Sequence, residues 1–113
     1  MKLLTDKDFS NELKDKKTLV YFSKKNCHLC MSFEKEIEQI NTFCSANLFE
    51  FCKVELEASI NPFLVYLFGE YGAPTLVFFN GNNDGIQVPY PQNGYNSENV
   101  ILFLKQVKNG HII

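Results

Sequence analysis

Two runs of the chain carry no polar face. Thr18-Leu19-Val20-Tyr21-Phe22 and Thr75-Leu76-Val77-Phe78-Phe79 are built from β-branched and aromatic residues, and they predict short buried strands. Residues 48–56 alternate apolar and polar positions and predict a third strand, with Phe49 or Phe51 leaving the period of two imperfect. Lys2 to Leu4 reads as a short edge strand. Asn80-Gly81-Asn82-Asn83-Asp84-Gly85 is turn chemistry, so residues 86–88 return as a hairpin partner of the second buried strand.

The helices follow from spacing and caps. Thr5 is placed as an N-cap with Asp6 and Asp8 in the first turn, and Phe9 and Leu13 share one face. Across residues 28–42, Leu29, Phe33, Ile37 and Ile40 recur at helical intervals, while Glu34, Lys35, Glu36 and Glu38 take the other faces. That pattern predicts one amphipathic helix. Asn61-Pro62 predicts a helix start with Asn as cap, and Phe63, Leu64, Leu67 and Phe68 supply its apolar face. Asn96 or Ser97 caps a last helix with Val100, Ile101, Leu104 and Val107 facing inward, and Asn109-Gly110 stops it.

The resulting order is β-α-β-α-β-α-β-β-α, an α/β layout with a mixed central sheet flanked by helices. Residues 18–56 form a strand–helix–strand unit, which implies a parallel pair and a right-handed crossover. Residues 75–88 supply an antiparallel half. No repeat, linker or low-complexity block interrupts the chain, so residues 1–113 are read as one domain.

Composition adjusts this picture in few places. With 113 residues and 45% hydrophobic positions, one core is sufficient without metal or disulfide staples. Eleven phenylalanines and no tryptophan predict a core of aromatic plates. A net charge of −2, with only the Lys24-Lys25 doublet near a candidate site, argues against nucleic-acid binding. No apolar run approaches the ~20 residues of a membrane span. The first residues lack a signal-like apolar stretch because Asp6 and Lys7 arrive early, which favours a cytoplasmic location. An exported mature form carrying a new Met would look the same.

Of the four cysteines, only Cys27 and Cys30 form a C-x-x-C, and it sits where a buried strand gives way to a helix. Two intervening residues let both sulfurs meet at the first turn. The leading sulfur lies at the positive end of the helix, where unpaired N–H groups favour a thiolate, and Lys24 and Lys25 act in the same direction. Cys30, one turn further in, is expected to be more buried and to keep its proton longer. This asymmetry suits two-step exchange: Cys27 attacks a disulfide and Cys30 resolves the mixed disulfide. A zinc site would need two more ligands, and neither a second pair nor a suitably spaced His provides them. A chance pairing of two core cysteines is the other plain alternative. Cys44 and Cys52 are read as buried small hydrophobes, with a second disulfide or a regulatory thiol as alternatives.

Gly72-Ala73-Pro74-Thr75 directly precedes the second buried strand. Here the chain resembles the thioredoxin superfamily along nearly its whole length. Leu4 to Phe9 resembles the family's opening strand and first-helix entry, and Leu19 to Phe22 leading into Cys27-His28-Leu29-Cys30 resembles its central strand and active site. Ala73-Pro74-Thr75-Leu76 resembles its cis-proline signature, and Val100 to Val107 its closing helix. The resemblance implies a thioredoxin fold and a protein disulfide oxidoreductase without a bound cofactor. It places a cis Pro74 beside Cys27 and Cys30. It also has the backbone around Ala73 and Thr75 pairing with an extended substrate segment.

Departures from the family pattern are specific. Asn26 replaces the usual tryptophan, His28-Leu29 replaces Gly-Pro, Tyr21 replaces a buried acid that assists the resolving cysteine, and Lys35 stands where relatives carry a helix-kinking proline. His28 either stabilises the Cys27 thiolate and makes a better oxidant, or is an exposed residue with little electrostatic effect. Leu29 is read as an apolar docking rim, and residues 90–95 as an ordinary surface loop, the alternative being a loop at the active-site edge whose aromatic side chains contact a partner. Partners implied are protein disulfides or dithiols, with an upstream reductase or oxidase. Two alternatives stay open: a redox-inactive binding module on the same fold, and a glutathione-linked, glutaredoxin-like enzyme. The direction of exchange is open too, because related dithiols span roughly −270 to −120 mV.

Overall fold

In a computed structural model, residues 1–112 are described. Ile113, the last residue of the expected 1–113 unit, lies outside the described residues. The elements are β1 (Lys2–Leu4), α1 (Phe9–Leu13), β2 (Lys17–Ser23), α2 (His28–Glu34), α3 (Ile37–Ala46), β3 (Glu50–Glu55), α4 (Pro62–Phe68), β4 (Thr75–Asn80), β5 (Gly85–Gln87) and α5 (Ser97–Lys108). They form a five-stranded sheet in the order β1-β3-β2-β4-β5. The two unbroken apolar runs, β2 and β4, pair antiparallel at its centre, with Val20 opposite Val77. β3 runs parallel to β2 and β1 parallel to β3, while β4 and β5 form the expected hairpin.

Burial on both faces explains why these strands lack a polar side. Leu19, Tyr21, Phe51, Leu76 and Phe78 face α2, α3 and α5 through Phe33, Ile40, Val100 and Leu104. Val20, Phe22, Val54, Val77 and Phe79 face α1 and α4 through Phe9, Leu13 and Leu64. The aromatic plates are present: Phe9 meets Phe79 edge-on at 5.7 Å, Phe22 packs on Phe68 at 4.7 Å, and Phe49 meets Phe78 edge-on at 5.8 Å. The β4–β5 turn is fastened to the α1–β2 turn, because Gly81 donates to the Lys16 carbonyl and accepts from Asp15 N–H. Gly81 has φ of +85°, which glycine adopts without steric cost.

Several local expectations are corrected. Thr5 caps no helix; Asp8 folds back to accept from Thr5 N–H at 2.7 Å, and α1 starts only at Phe9. The helix expected over residues 28–42 is broken between α2 and α3. There Lys35 and Glu36 N–H donate three residues back, to Ser32 and Phe33, and the chain makes a tight turn without proline. The Glu36 carboxylate, freed by that turn, accepts from Ser97 N–H at 2.8 Å at the start of α5.

Asn61 occupies the cap position of α4, but its side chain makes no cap bond. It accepts from Asp6 N–H and donates to the Glu55 carbonyl instead. The capping is done from a distance by the Asp6 carboxylate, which accepts from Phe63 N–H at 2.8 Å and Leu64 N–H at 2.9 Å. Phe63 and Leu67, expected in the core, are 51% and 48% exposed; Leu64, Val65 and Phe68 make the inward face. In α5, Phe103 is buried and Ile101 is only partly so.

Candidate functional site

The loop from β2 to α2 decides where the cysteines sit. Asn26 adopts a left-handed backbone, φ +58°, a conformation asparagine tolerates better than bulkier residues and one that accounts for a small polar residue before Cys27. Cys27 is then the N-cap of α2, its backbone extended and its sulfur accepting from Cys30 N–H at 3.1 Å. Cys30 enters the first turn. The two are joined by a disulfide, with Cα atoms 5.2 Å apart. Their exposure is unequal: Cys27 is partly exposed and Cys30 is 2% exposed.

Ala73-Pro74 is a cis peptide bond, and the Ala73 carbonyl oxygen lies 3.4 Å from the Cys27 sulfur. Pro74 and Thr75 are buried, and the Thr75 hydroxyl donates to the Gly72 carbonyl, so its side chain braces the loop. His28 is exposed, and Leu29 is 59% exposed on the rim beside the pair. The fold thus gathers Cys27, Cys30, Ala73 and Pro74 at one place, with His28 and Leu29 on its outer edge.

Behind the pair lies an arrangement that the sequence reading did not contain. Tyr21, at the position of the expected acid, is fully buried, and its phenol donates to Glu34 Oε2 at 2.8 Å. Lys53 Nζ lies 3.5 Å from the same oxygen and 5.7 Å over the Tyr21 ring. Burial and the Glu34 carboxylate both push the phenol up, so Tyr21 stays protonated and donates. Glu34 stands four residues after Cys30, which was the available signal: that spacing puts both on one helix face. Lys53 carried no sequence signal, because only the β2–β3 register sets it opposite Tyr21.

Other residues singled out from the sequence lie elsewhere. Cys44 and Cys52 are free and buried in the cores on opposite faces of the sheet. Burial, the leading cause, pushes their thiols up to about 12 and about 11. The loop over residues 90–95 is more than surface. Tyr95 is buried, and its hydroxyl donates to the Val88 carbonyl at 2.6 Å and accepts from Leu76 N–H at 3.4 Å. Among the described residues no cluster of His, Cys, Asp or Glu is arranged to hold a metal ion, and no helix is long and apolar enough to cross a membrane.

A mixed five-stranded sheet with a disulfide-forming pair at a helix start and a cis-proline beside it defines a thioredoxin-like domain. The Thioredoxin family model matches residues 1–105, and the chain belongs to that family. Among solved structures, chloroplastic thioredoxin z superposes with a TM-score of 0.76 at 16% identity, over 96% of this chain and 95% of that one. The J-Trx1 fragment of ERdj5 superposes with a TM-score of 0.75 at 15% identity, over 93% of this chain and 50% of the fragment, so the chain spans half its length. The first thioredoxin domain of mouse Protein disulfide-isomerase A4 superposes with a TM-score of 0.71 at 23% identity, over 93% and 73%. At these identities the likeness is one of fold. Comparison with curated protein sequences finds no match. Family and cysteine pair together support thiol–disulfide oxidoreductase chemistry in general.

Proposed function

We propose that this protein exchanges disulfides with protein substrates through Cys27 and Cys30, as a single thioredoxin-like unit. The observation that carries the reading is the unequal placement of the two sulfurs. One is partly open at a helix start and receives an N–H bond; the other is closed off one turn behind it. In the reduced protein the Cys30 N–H bond favours a Cys27 thiolate. That thiolate attacks one sulfur of a substrate disulfide, forming a Cys27–substrate bond and releasing the other substrate sulfur as thiolate. Cys30 then attacks the Cys27 sulfur, the Cys27–substrate bond breaks, and the Cys27–Cys30 disulfide remains. Continued reduction calls for an upstream dithiol reductase, and the opposite direction calls for an oxidase.

The neighbouring residues take supporting roles in this reading. Pro74 shapes the wall facing the sulfurs. The backbone at Ala73 and Thr75 lies alongside an extended substrate segment, Leu29 contributes an apolar docking rim, and His28 tunes the potential.

Equilibration in glutathione buffers, with thiol alkylation read by mass, tests the proposal. A potential near the thioredoxin end of the known range assigns a reductase, and one near the oxidising end a disulfide donor or isomerase. A pair that never oxidises at any poise leaves a binding module. Glutathione-dependent turnover that survives Cys30→Ser selects the glutaredoxin-like enzyme.

A further inference from the structure

We propose that Glu34 accepts the proton of Cys30 when Cys30 resolves the mixed disulfide, and that Tyr21 and Lys53 hold its carboxylate in place for that step. The inference rests on the exchange reading above and adds the group that activates the second thiol.

Cys30 is nearly closed off from solvent, yet it must lose a proton before it can attack. A cleft of about 370 Å³ opens beside the pair, lined among others by Cys27, Cys30, Glu34 and Lys53. Glu34 is the cleft carboxylate that stands on Cys30's own helix, one turn on and on the same face. The other charged groups on the cleft are committed elsewhere or stand on other elements. Lys24 donates to the Gly69 carbonyl, Lys25 pairs with Glu57 at 3.4 Å, and Glu55 belongs to the end of β3.

Two elements fix the Glu34 carboxylate. Tyr21 from β2 donates to it, and Lys53 from β3 supplies a cation to the same oxygen. Its side chain is 40% exposed, so a proton received there passes on to solvent. The resolving step balances as follows. The Cys30 S–H proton moves through the cleft to Glu34. The Cys30 sulfur bonds to Cys27 Sγ, and the Cys27–substrate bond breaks. The electron pair leaves on the substrate sulfur, which takes up a proton from Glu34 or from water.

The test is stopped-flow reaction of the full, reduced chain with Ellman's reagent. The first equivalent of released thionitrobenzoate reports attack by Cys27 and the second reports resolution by Cys30. Glu34→Gln keeps size and an acceptor for the Tyr21 hydroxyl but removes the base. It is expected to slow the second release by roughly tenfold or more near neutral pH. The deficit should shrink as pH rises and hydroxide takes over, while the first release keeps its rate. Tyr21→Phe, which leaves the ring in the core, is expected to slow the second release less. Equal second-phase rates for Glu34→Gln and the parent at every pH overturn the assignment. So does slowing by a constant factor across pH with the first phase slowed alongside, the mark of a structural role. If the parent chain itself releases only one equivalent, the exchange reading fails and the relay fails with it.

Discussion

The sulfur of Cys27 lies 3.4 Å from the carbonyl oxygen of Ala73, a residue 46 positions further along the chain. This contact places the partly exposed sulfur against the loop that precedes β4, while Cys30 sits behind it in the first turn of α2.

The roles of the two cysteines are therefore separable. Cys30→Ser keeps the attacking sulfur and its place beside Ala73 but removes the resolving thiol. Incubated with insulin as a protein disulfide probe, this variant is expected to accumulate a covalent adduct that dithiothreitol releases, with turnover reduced to background. Cys27→Ser is expected to give neither adduct nor turnover. Intact mass with and without dithiothreitol reads both. An adduct through Cys27→Ser would reverse the assignment of the two sulfurs.

Cys44 and Cys52 are expected to be chemically silent in the native state, because burial holds both as thiols. In the unfolded chain they titrate near their ordinary 9.0, whereas in the fold they hold their protons to about 12 and about 11. Above pH ~9 the native state therefore binds more protons than the unfolded state, and stability falls as pH rises. Below that pH both states carry neutral thiols and the two cysteines contribute no slope. The urea midpoint of the reduced protein is expected to drop between pH 8.5 and 10.5, and to drop less in Cys44→Ala. The baseline cost of the cavity that this substitution leaves is read at pH 7.

What the residues disclose depends on how far away their partners are. β2 and β4 were legible because a run with no polar face can only be buried on both sides, and Cys27-x-x-Cys30 was legible because its spacing and its place after a strand are local. The break after Glu34 was not. Neither Lys35 nor Glu36 is a helix-breaking residue type, so only the resemblance, which puts a kinking proline of relatives at Lys35, marked the position. The Glu36 carboxylate finds its partner at Ser97, 61 positions on. Phe63 and Leu67 counted as core because helical spacing cannot say how wide a stripe the sheet will cover. The Glu34 site was half legible: its spacing from Cys30 is local, but Tyr21 and Lys53 meet it only through sheet register.

Asp6 holds the start of α4 by long-range capping, since both free N–H groups of Phe63 and Leu64 point at its carboxylate. Removing an N-cap acceptor costs about 0.5–2 kcal/mol. Asp6→Ala is expected to fall at the upper end of that range, because two bonds to a charged group are lost together. Asp6→Asn keeps one acceptor and is expected to recover part of the loss. Urea denaturation with an unchanged m-value reads the difference. Asn61→Ala tests the same junction from the other side: the loss expected there arises from the Asp6 N–H and the Glu55 carbonyl that Asn61 bridges, while the α4 cap itself stays with Asp6.

Tyr95 braces the end of the β4–β5 hairpin. Its hydroxyl takes the Val88 carbonyl as acceptor, while Val88 N–H donates to the Leu76 carbonyl, so one phenol and one backbone bond tie the end of the hairpin to β4. Tyr95→Phe keeps the ring against Phe33 and Tyr90, whose centroids lie 5.9 Å and 4.9 Å away, and removes only the hydroxyl. The Val88 carbonyl then loses its partner in a buried setting, which costs about 1–3 kcal/mol. Tyr90→Phe, at an exposed position, is expected to stay within about 0.5 kcal/mol of the parent. Urea midpoints compare the two variants. Equal stability of the two variants would mean that the Val88 carbonyl finds another donor once the phenol is gone.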